Sequence, residues 1–192
     1  MGATLSVFGI TGAFRWTALS GSQEFEALPG SGFGMTRAFG VSSNGRLIVG
    51  DGDDRTGNLH PVLWVPGGVL DLGIAGNYQS GRAKDMSDDG QSAVINFTSN
   101  TGLYPEAAGI WTSGTWPMLA HEFLALHGIG VPAGMWLTHC EAISADGRTF
   151  AGNARYRDAT GRDVWTGWVA TVPGAMVTVA FFGLFMGHRS RP

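Results

Sequence analysis

The chain has 192 residues, of which 31 are glycine and only 14% are charged, and its formal net charge at pH 7 is −3. This length is enough for one domain with a real core, and the seven tryptophans and eleven phenylalanines exclude a disordered chain. The lack of a Gly-X-Y period excludes collagen, and the small negative charge gives no electrostatic basis for binding nucleic acid. A single cysteine, Cys140, excludes an internal disulfide and a multi-thiolate metal site.

A short motif of the form Ser-x-[Asn/Asp]-Gly-[Arg/Gln] occurs three times in the chain, starting at Ser42, Ser87 and Ser144. Each copy is followed by a Thr-Gly pair and then by a tryptophan. Marks that recur at nearly constant spacing indicate a structural repeat. An earlier Thr-Gly pair, followed by Trp16, indicates a partial copy at the start of the chain.

The repeats predict one β-repeat domain over residues 1–172. Each full unit should contain four short antiparallel strands, the first two joined by a tight turn at the repeated motif. Asn44 and Gly45 suit the positive φ of a type I′ turn. The predicted turn pairs are Asn44-Gly45, Asp89-Gly90 and Asp146-Gly147, and the predicted units are a partial blade over 1–36 and blades over 37–81, 82–138 and 139–172.

A four-stranded unit of about 40–45 residues is typical of a propeller blade. The predicted fold is therefore all-β, with propeller-like blades in an incomplete or open array. An open β-solenoid or a sandwich is the alternative. Three full units and a partial one are fewer than the roughly four to eight blades that close a propeller. We expect an open array, a half-ring that a second copy completes, or a fragment of a longer protein, which the partial first unit and the lack of a signal peptide favour.

One short helix is predicted in the insertion that lengthens the third unit. Apolar residues near helical spacing occupy this stretch, and Gly128 and Gly130 should end the helix. We expect it to cover the edge of a blade or the end of the array.

The last 20 residues, 173–192, form an apolar tail with a basic end. Residues 169–187 carry no charge, and HRSRP follows them. Nineteen uncharged residues before a basic flank favour a membrane or sorting segment, although Pro173, Gly174 and two threonines weaken this interpretation. The alternative is a tail that packs on the domain after a last strand.

Taken together, the motifs resemble the HAF-type extracellular repeat proteins of bacteria, whose units read A-x-x-[VI]-S-x-D-G-x3-V-G before H-A-F-x-W. The matching stretches here are RAFGVSSNGRLIVG with HPVLW, GAFRW, and EAISADGRTFAG with GWVA. The tail looks like a degenerate PEP-CTERM-like sorting signal in which Gly174 replaces the acidic residue. The resemblance covers about residues 10–172 and implies a secreted or surface-exposed β-repeat protein, a family for which no enzymatic activity is established.

Residues 139–152, HCEAISADGRTFAG, bring together the side chains of a nucleophilic site. A cysteine nucleophile needs a histidine base, but His139 and Cys140 are adjacent and should point to opposite faces of a strand. Cys140 also takes the place of alanines in the other copies, so we interpret it as a buried core residue. Ser144 and Asp146 recur in every copy and are interpreted as turn residues.

Two further groups of residues could bind ligands. Asp51, Asp53 and Asp54 are a weak candidate for calcium, although their spacing does not match a known calcium loop, and we interpret them as a solvated loop. No cofactor is predicted. Most of the tryptophans that recur in the repeats should lie in the core, whereas the three surplus ones could stack on a sugar. These three are Trp116, Trp136 and Trp165.

Repeats without repeated chemistry favour a non-enzymatic structural or adhesive module, extracellular or at the cell surface. A carbohydrate-binding module is the alternative, and a hydrolase using Cys140, His139 or Asp146 is a third hypothesis. The expected partners are a surface glycan, another protein or a second copy, with a membrane or sorting contact through the tail and no nucleic acid.

Overall fold

A computed structural model describes residues 11–100 and 105–174, together with the backbone of residues 2–5. The described chain consists mostly of strands in four antiparallel sheets, with one short helix and no closed sheet. The predicted all-β class, with an open array of blade-like sheets, is confirmed. In every sheet, strands that are neighbours in the sequence are also neighbours in space, because short turns join them.

The four sheets follow one another along the chain. Sheet 1 contains β1 (Gly2–Leu5), β2 (Thr11–Thr17) and β3 (Gly21–Glu24), and sheet 2 contains β4 (Thr36–Val41), β5 (Ile48–Asp53), β6 (Leu59–Val65) and β7 (Gly68–Asp71). Sheet 3 contains β8 (Ser80–Met86), β9 (Ser92–Thr98), β10 (Glu106–Thr112) and β11 (Met118–Leu119), and sheet 4 contains β12 (Met135–Ile143), β13 (Thr149–Arg157) and β14 (Asp163–Thr171). β12 thus begins four residues before 139, where the fourth unit was predicted to start.

The sheets pack in chain order, and the first strand of sheets 2, 3 and 4 lies across the preceding sheet. Side chains alternate between the two faces of a strand, so a central sheet is buried on both sides. In β5, Ile48 belongs to the cluster shared with Phe25 and Leu28, which follow sheet 1, whereas Val49 belongs to the cluster shared with sheet 3. The core therefore consists of three apolar clusters: two lie between successive sheets, and the third lies between sheet 2 and the segment that follows sheet 1.

The first strands of sheets 2, 3 and 4 carry a bulge at the same place. The register against the second strand shifts after Ala38, Ala83 and Cys140. A bulge adds a residue to one strand and increases its twist. The repeat therefore preserves a bend in the backbone as well as a hydrophobic pattern.

Helix α1 (Ala120–Leu126) follows β11, as the hydrophobic spacing predicted. Its buried residues Ala120, Phe123 and Leu124 join the cluster between sheets 3 and 4. The backbone carbonyls of its last turn accept the N–H groups of residues 127–129, and Gly128 has a φ of 76°. Glycine is favoured at such a helix end because this φ strains other residues.

The prediction of a type I′ turn at Asn44-Gly45 is wrong. Of these two residues, only Gly45 has a positive φ, 69°. Every described residue with a positive φ is a glycine. Ser42 and Leu47 form the closing backbone pair, since the Ser42 N–H donates to the Leu47 carbonyl at 2.9 Å. The loop between them has four residues, whereas a type I′ hairpin has two, so Asn44 keeps a negative φ.

Most of the predicted tail, residues 175–192, lies outside the described part of the chain. Within the part that the structure describes, no helix is both long enough and apolar enough to cross a bilayer.

Candidate functional site

The repeated motif forms the same hydrogen-bonded turn in all three copies. In the second copy, the Ser87 hydroxyl donates to the Asp89 carboxylate at 2.6 Å and accepts the Ser92 N–H at 3.0 Å. The same carboxylate accepts the Gln91 N–H at 2.9 Å, and these bonds lower the pKa of Asp89. Ser42 with Asn44 and Ser144 with Asp146 make matching bonds. The Ser and Asp side chains are therefore used to close hairpins.

A second turn is repeated at two of the Thr-Gly pairs, Thr56-Gly57 and Thr160-Gly161. One oxygen of Asp54 accepts the Thr56 N–H at 2.7 Å, the Thr56 hydroxyl at 2.8 Å and the Asn58 N–H at 2.9 Å. Asp158 makes the same bonds to Thr160 and Arg162 in sheet 4. The sequence analysis missed this role, although an aspartate two residues before the Thr-Gly pair was its visible signal.

Asp51 is held by a paired arginine. Its two carboxylate oxygens accept bonds of 2.8 and 2.7 Å from the Arg37 guanidinium on β4, and Arg82 of β8 lies 3.4 Å away. Burial raises the pKa of Asp51, and the bonds from Arg37 oppose that effect. This carboxylate therefore joins sheet 2 to the first strand of sheet 3.

Asp53 fixes the link between sheets 1 and 2. Its carboxylate accepts the Ser31 hydroxyl, the Phe33 N–H and the Met35 N–H at 2.7, 2.7 and 2.6 Å. Burial acts to raise its pKa, but these three donors outweigh burial and lower it. Together with Asp51 and Asp54, it was the calcium candidate. Each of the three carboxylates binds a different set of protein donors, an arrangement that does not favour a shared cation.

No group of three or more His, Cys, Asp and Glu side chains among residues 11–100 and 105–174 has an arrangement that could hold a metal ion.

Cys140 lies fully buried in the cluster between sheets 3 and 4. It pairs with Gly152 just before the bulge, as Ala38 pairs with Gly50 and Ala83 with Ile95. Burial is the main cause that raises the pKa of its thiol, and the charge of Glu141 adds to it. A thiol in this environment is not the thiolate that nucleophilic catalysis requires.

The neighbouring His139 is engaged elsewhere. Its Nδ1 lies 3.1 Å from the Thr138 hydroxyl, and its Nε2 lies 3.8 Å from a carboxylate oxygen of Glu106 on β10. Asp146 is exposed in the repeated turn, where its carboxylate is hydrogen-bonded. The arrangement therefore assigns His139 and Asp146 to contacts other than the buried thiol.

The surplus tryptophans do not form one cluster. Trp116 is exposed at the end of sheet 3, and its ring lies against Gly73, where a Cβ atom would collide with it. Trp136 and Trp165 belong to sheet 4 and lie in the same row, because both pair with Arg155 of β13. Trp136 is anchored by an indole hydrogen bond of 2.7 Å to the Glu106 carbonyl.

The row on sheet 4 combines an aromatic ring with charged groups. Trp165 on the edge strand β14 is exposed, and Arg155 beside it lies 3.6 Å from Asp163. An exposed indole next to hydrogen-bonding groups suits the stacking of a sugar ring. Of the three predicted binding residues, Trp165 is thus the one with both exposure and polar neighbours.

Sequence reasoning also missed His60. Its Nδ1 lies 2.8 Å from the Asp71 carboxylate, and its Nε2 lies 3.6 Å from Asp54. The hydrogen bond with Asp71 is the largest cause that raises the pKa of His60. These residues lie on three separate segments, so no local spacing marked them.

Comparison of the sequence with protein-family models found no match, and comparison with curated proteins found none either.

Proposed function

We propose that this chain is a non-enzymatic module of repeated β-sheets with a structural or adhesive role, outside the cell or at its surface. The main support is the use of the repeated polar residues. The serines and acids of the motif close hairpins, and the main bonds of the turn recur in the one copy that carries a cysteine: the serine hydroxyl donates to the acid and accepts the backbone N–H five residues later. We also propose that the sheets are blades of a propeller-type array, a proposal supported by their order and by the resemblance to HAF-type repeats.

The enzymatic alternative is tested with the purified full chain. We expect no turnover of ester, peptide or glycoside substrates above that of the Cys140→Ala variant, because alanine stands at the matching position in sheets 2 and 3. Turnover that this substitution removes would overturn the non-enzymatic proposal.

The surface location is tested on intact cells that produce the chain. An antibody against it should label intact cells, and external protease should remove the label. Labelling that appears only after permeabilisation would contradict this part of the proposal.

A carbohydrate-binding role is the second candidate, and the exposed Trp165 beside Arg155 favours it. Binding to a glycan array should then be lost in Trp165→Ala. Leu126→Ala, which alters another exposed apolar residue, on α1, is the matched control. A blank array for the wild-type chain would count against this role and leave the structural one intact.

We further propose that residues 173–192 supply a membrane or sorting contact, supported by the uncharged run and its basic flank. A chain that ends at residue 172 should then be released from the membrane fraction. Unchanged fractionation would reject the contact.

A further inference from the structure

The outer sheet faces at the two ends of the array are equivalent to faces that neighbouring sheets bury elsewhere in the same chain. We call the face of a sheet that packs on the preceding sheet its front face, and the opposite face its back face. Three interfaces bury the front faces of sheets 2–4. The residues that cover them come from the back faces of sheets 2 and 3 and, for sheet 2, from Phe25 and Leu28 just after sheet 1. No described sheet packs on the front face of sheet 1 or on the back face of sheet 4, and the exposure of their residues shows what each face would bury.

Tryptophans mark the front faces. Trp64 is 3% exposed because it stacks on Phe25, with the ring centroids 5.0 Å apart, and donates to the Glu26 carbonyl. Trp111, at the matching position of sheet 3, is 8% exposed in the cluster that contains Leu72. Trp16 lies one residue before the closing pair of the β2–β3 turn, as Trp64 does in the β6–β7 turn, and is 64% exposed.

The back faces show the complementary difference. Leu63 and Ile110 lie opposite Val49 and Val94 in sheets 2 and 3, and they are 4% and 1% exposed. Val169, at the matching position of sheet 4, is 72% exposed. An apolar side chain that is buried in two repeats and open in the third indicates a missing neighbour of the same kind.

A polar position repeats the pattern. Asn96 on the back face of sheet 3 accepts the Cys140 N–H of sheet 4 at 2.8 Å and donates to Glu141 at 3.0 Å. Asp51 at the same position of sheet 2 contacts Arg82 of sheet 3. Asn153 occupies this position in sheet 4, where it is exposed. The residue type that bridges two sheets is thus present where no sheet follows in the described chain.

We propose that the front face of sheet 1, marked by Trp16, binds the back face of sheet 4, marked by Val169, of a second copy of this chain. The inference rests on the proposed structural function and names its partner. The contact continues an interface that the chain already builds three times. Charge agrees with it, because Glu24 shares the Trp16 face, whereas the Val169 face carries Arg155 and Arg157 with a single carboxylate, Asp163, ion-paired to both.

This contact joins two different surfaces, so it is heterologous and closes into a ring where the rotation between copies allows. Two copies would bring eight sheets together, which lies within the range of about four to eight blades in closed propellers. The interface would bury the Trp16 indole in the way that Trp64 is buried in sheet 2.

The test measures the mass of the full chain in solution by light scattering over a range of concentrations. The wild-type chain, 20.2 kDa as a monomer, should associate to dimers or longer assemblies. Trp16→Arg and Val169→Arg should each weaken association at least about tenfold, since each replaces an apolar side chain at the centre of the contact with a charged one. Leu126→Arg, which alters an apolar residue 71% exposed on α1, should associate like the wild type.

A mixture of the two variants gives the sharper result. Trp16→Arg keeps an intact Val169 face and Val169→Arg keeps an intact Trp16 face, so together they should form a heterodimer through one sound interface. Circular dichroism of each variant confirms that it is folded. A wild-type chain that stays monomeric at every concentration would overturn the inference, as would variants that fail to complement one another. Neither result bears on the tests of catalysis and location, so the proposed function stands or falls separately.

Discussion

The carboxylate of Asp53 accepts a hydrogen bond of 2.6 Å from the backbone N–H of Met35, 18 positions earlier in the chain. It also accepts the Phe33 N–H and the Ser31 hydroxyl, so one buried side chain satisfies three donors of the link between sheets 1 and 2. These donors have no other strand to pair with, because the link runs between two sheets. Asp53 is therefore the residue of β5 whose side chain orders the second half of the link, residues 31–35.

Asp53→Asn should destabilise the chain, because the amide replaces one accepting oxygen with a donor that faces another donor. Leaving such a group unsatisfied costs about 1–3 kcal/mol. The free energy of unfolding in urea measures this loss. Asp88→Asn, at an exposed turn position, is the control and should change it by less than about 0.5 kcal/mol. Equal effects of the two substitutions would refute the ordering role of Asp53.

Glycine is required at one position of β13. A Cβ atom on Gly152 would collide with the carbonyl oxygen of His139 and lie 2.8 Å from the Cα of Cys140. Gly152→Ala should therefore cost about 1–3 kcal/mol, the usual penalty for overpacking. Gly167→Ala on the neighbouring strand is the control, because its nearest atom is 3.8 Å away. Thermal unfolding compares the two, and a tolerated Gly152→Ala would show that the bulge of β12 relaxes freely.

The hairpins of the sheets were predictable because residues close together in the sequence determine their turns. Each hairpin turn draws its polar bonds from residues within five positions, as with Ser87 and Asp89, so the motif itself contains the information. The type of turn was not predictable, because the length of the loop depends on which two residues form the closing backbone pair. The short helix followed from apolar spacing and from Gly128 at its end.

The candidate sites depended on contacts that no local pattern records. Asp51 meets Arg37 and Arg82 from two other strands, so an acidic run that looked like a solvated loop is partly buried. The pairing of Trp136 and Trp165 with Arg155 depends on the register of three strands and on the bulges of β12. Register is set by the whole sheet, and for this reason the row could not be read from spacing.

Asp89 should contribute to the free energy of unfolding through the hydrogen bonds of its turn. Asp89→Ala removes the acceptor of the Ser87 hydroxyl and the Gln91 N–H, and it should lower the free energy of unfolding by about 0.5–1.5 kcal/mol. Asp89→Asn should retain most of the stability, because Asn44 makes the same bonds in the first copy. Urea unfolding of both variants tests this order. An asparagine variant as unstable as the alanine variant would mean that charge, and not the bonding pattern, holds the turn.

His60 should give the stability a dependence on pH near neutrality. Its pKa in the folded chain is raised above the usual 6.5, mainly by the hydrogen bond with Asp71. The folded state therefore binds the proton more tightly than the unfolded state does. This contribution is fully present below pH 6.5 and is lost as the pH rises through the folded pKa.

The size of that contribution should be modest, under about 1 kcal/mol, because both side chains are partly exposed and screened by water. Urea unfolding of the wild type should show the lower stability at the higher of two pH values, about pH 6 and about pH 8, between which histidine titrates. His60→Gln should reduce the difference because it removes the titrating ring, and Asp71→Asn should reduce it because it removes the charge that holds the proton. Asp88→Asn alters an exposed carboxylate elsewhere and should keep the wild-type difference. A pH dependence that survives in both His60→Gln and Asp71→Asn would assign it to other groups, and the contact would then be a packing interaction without a role in proton binding.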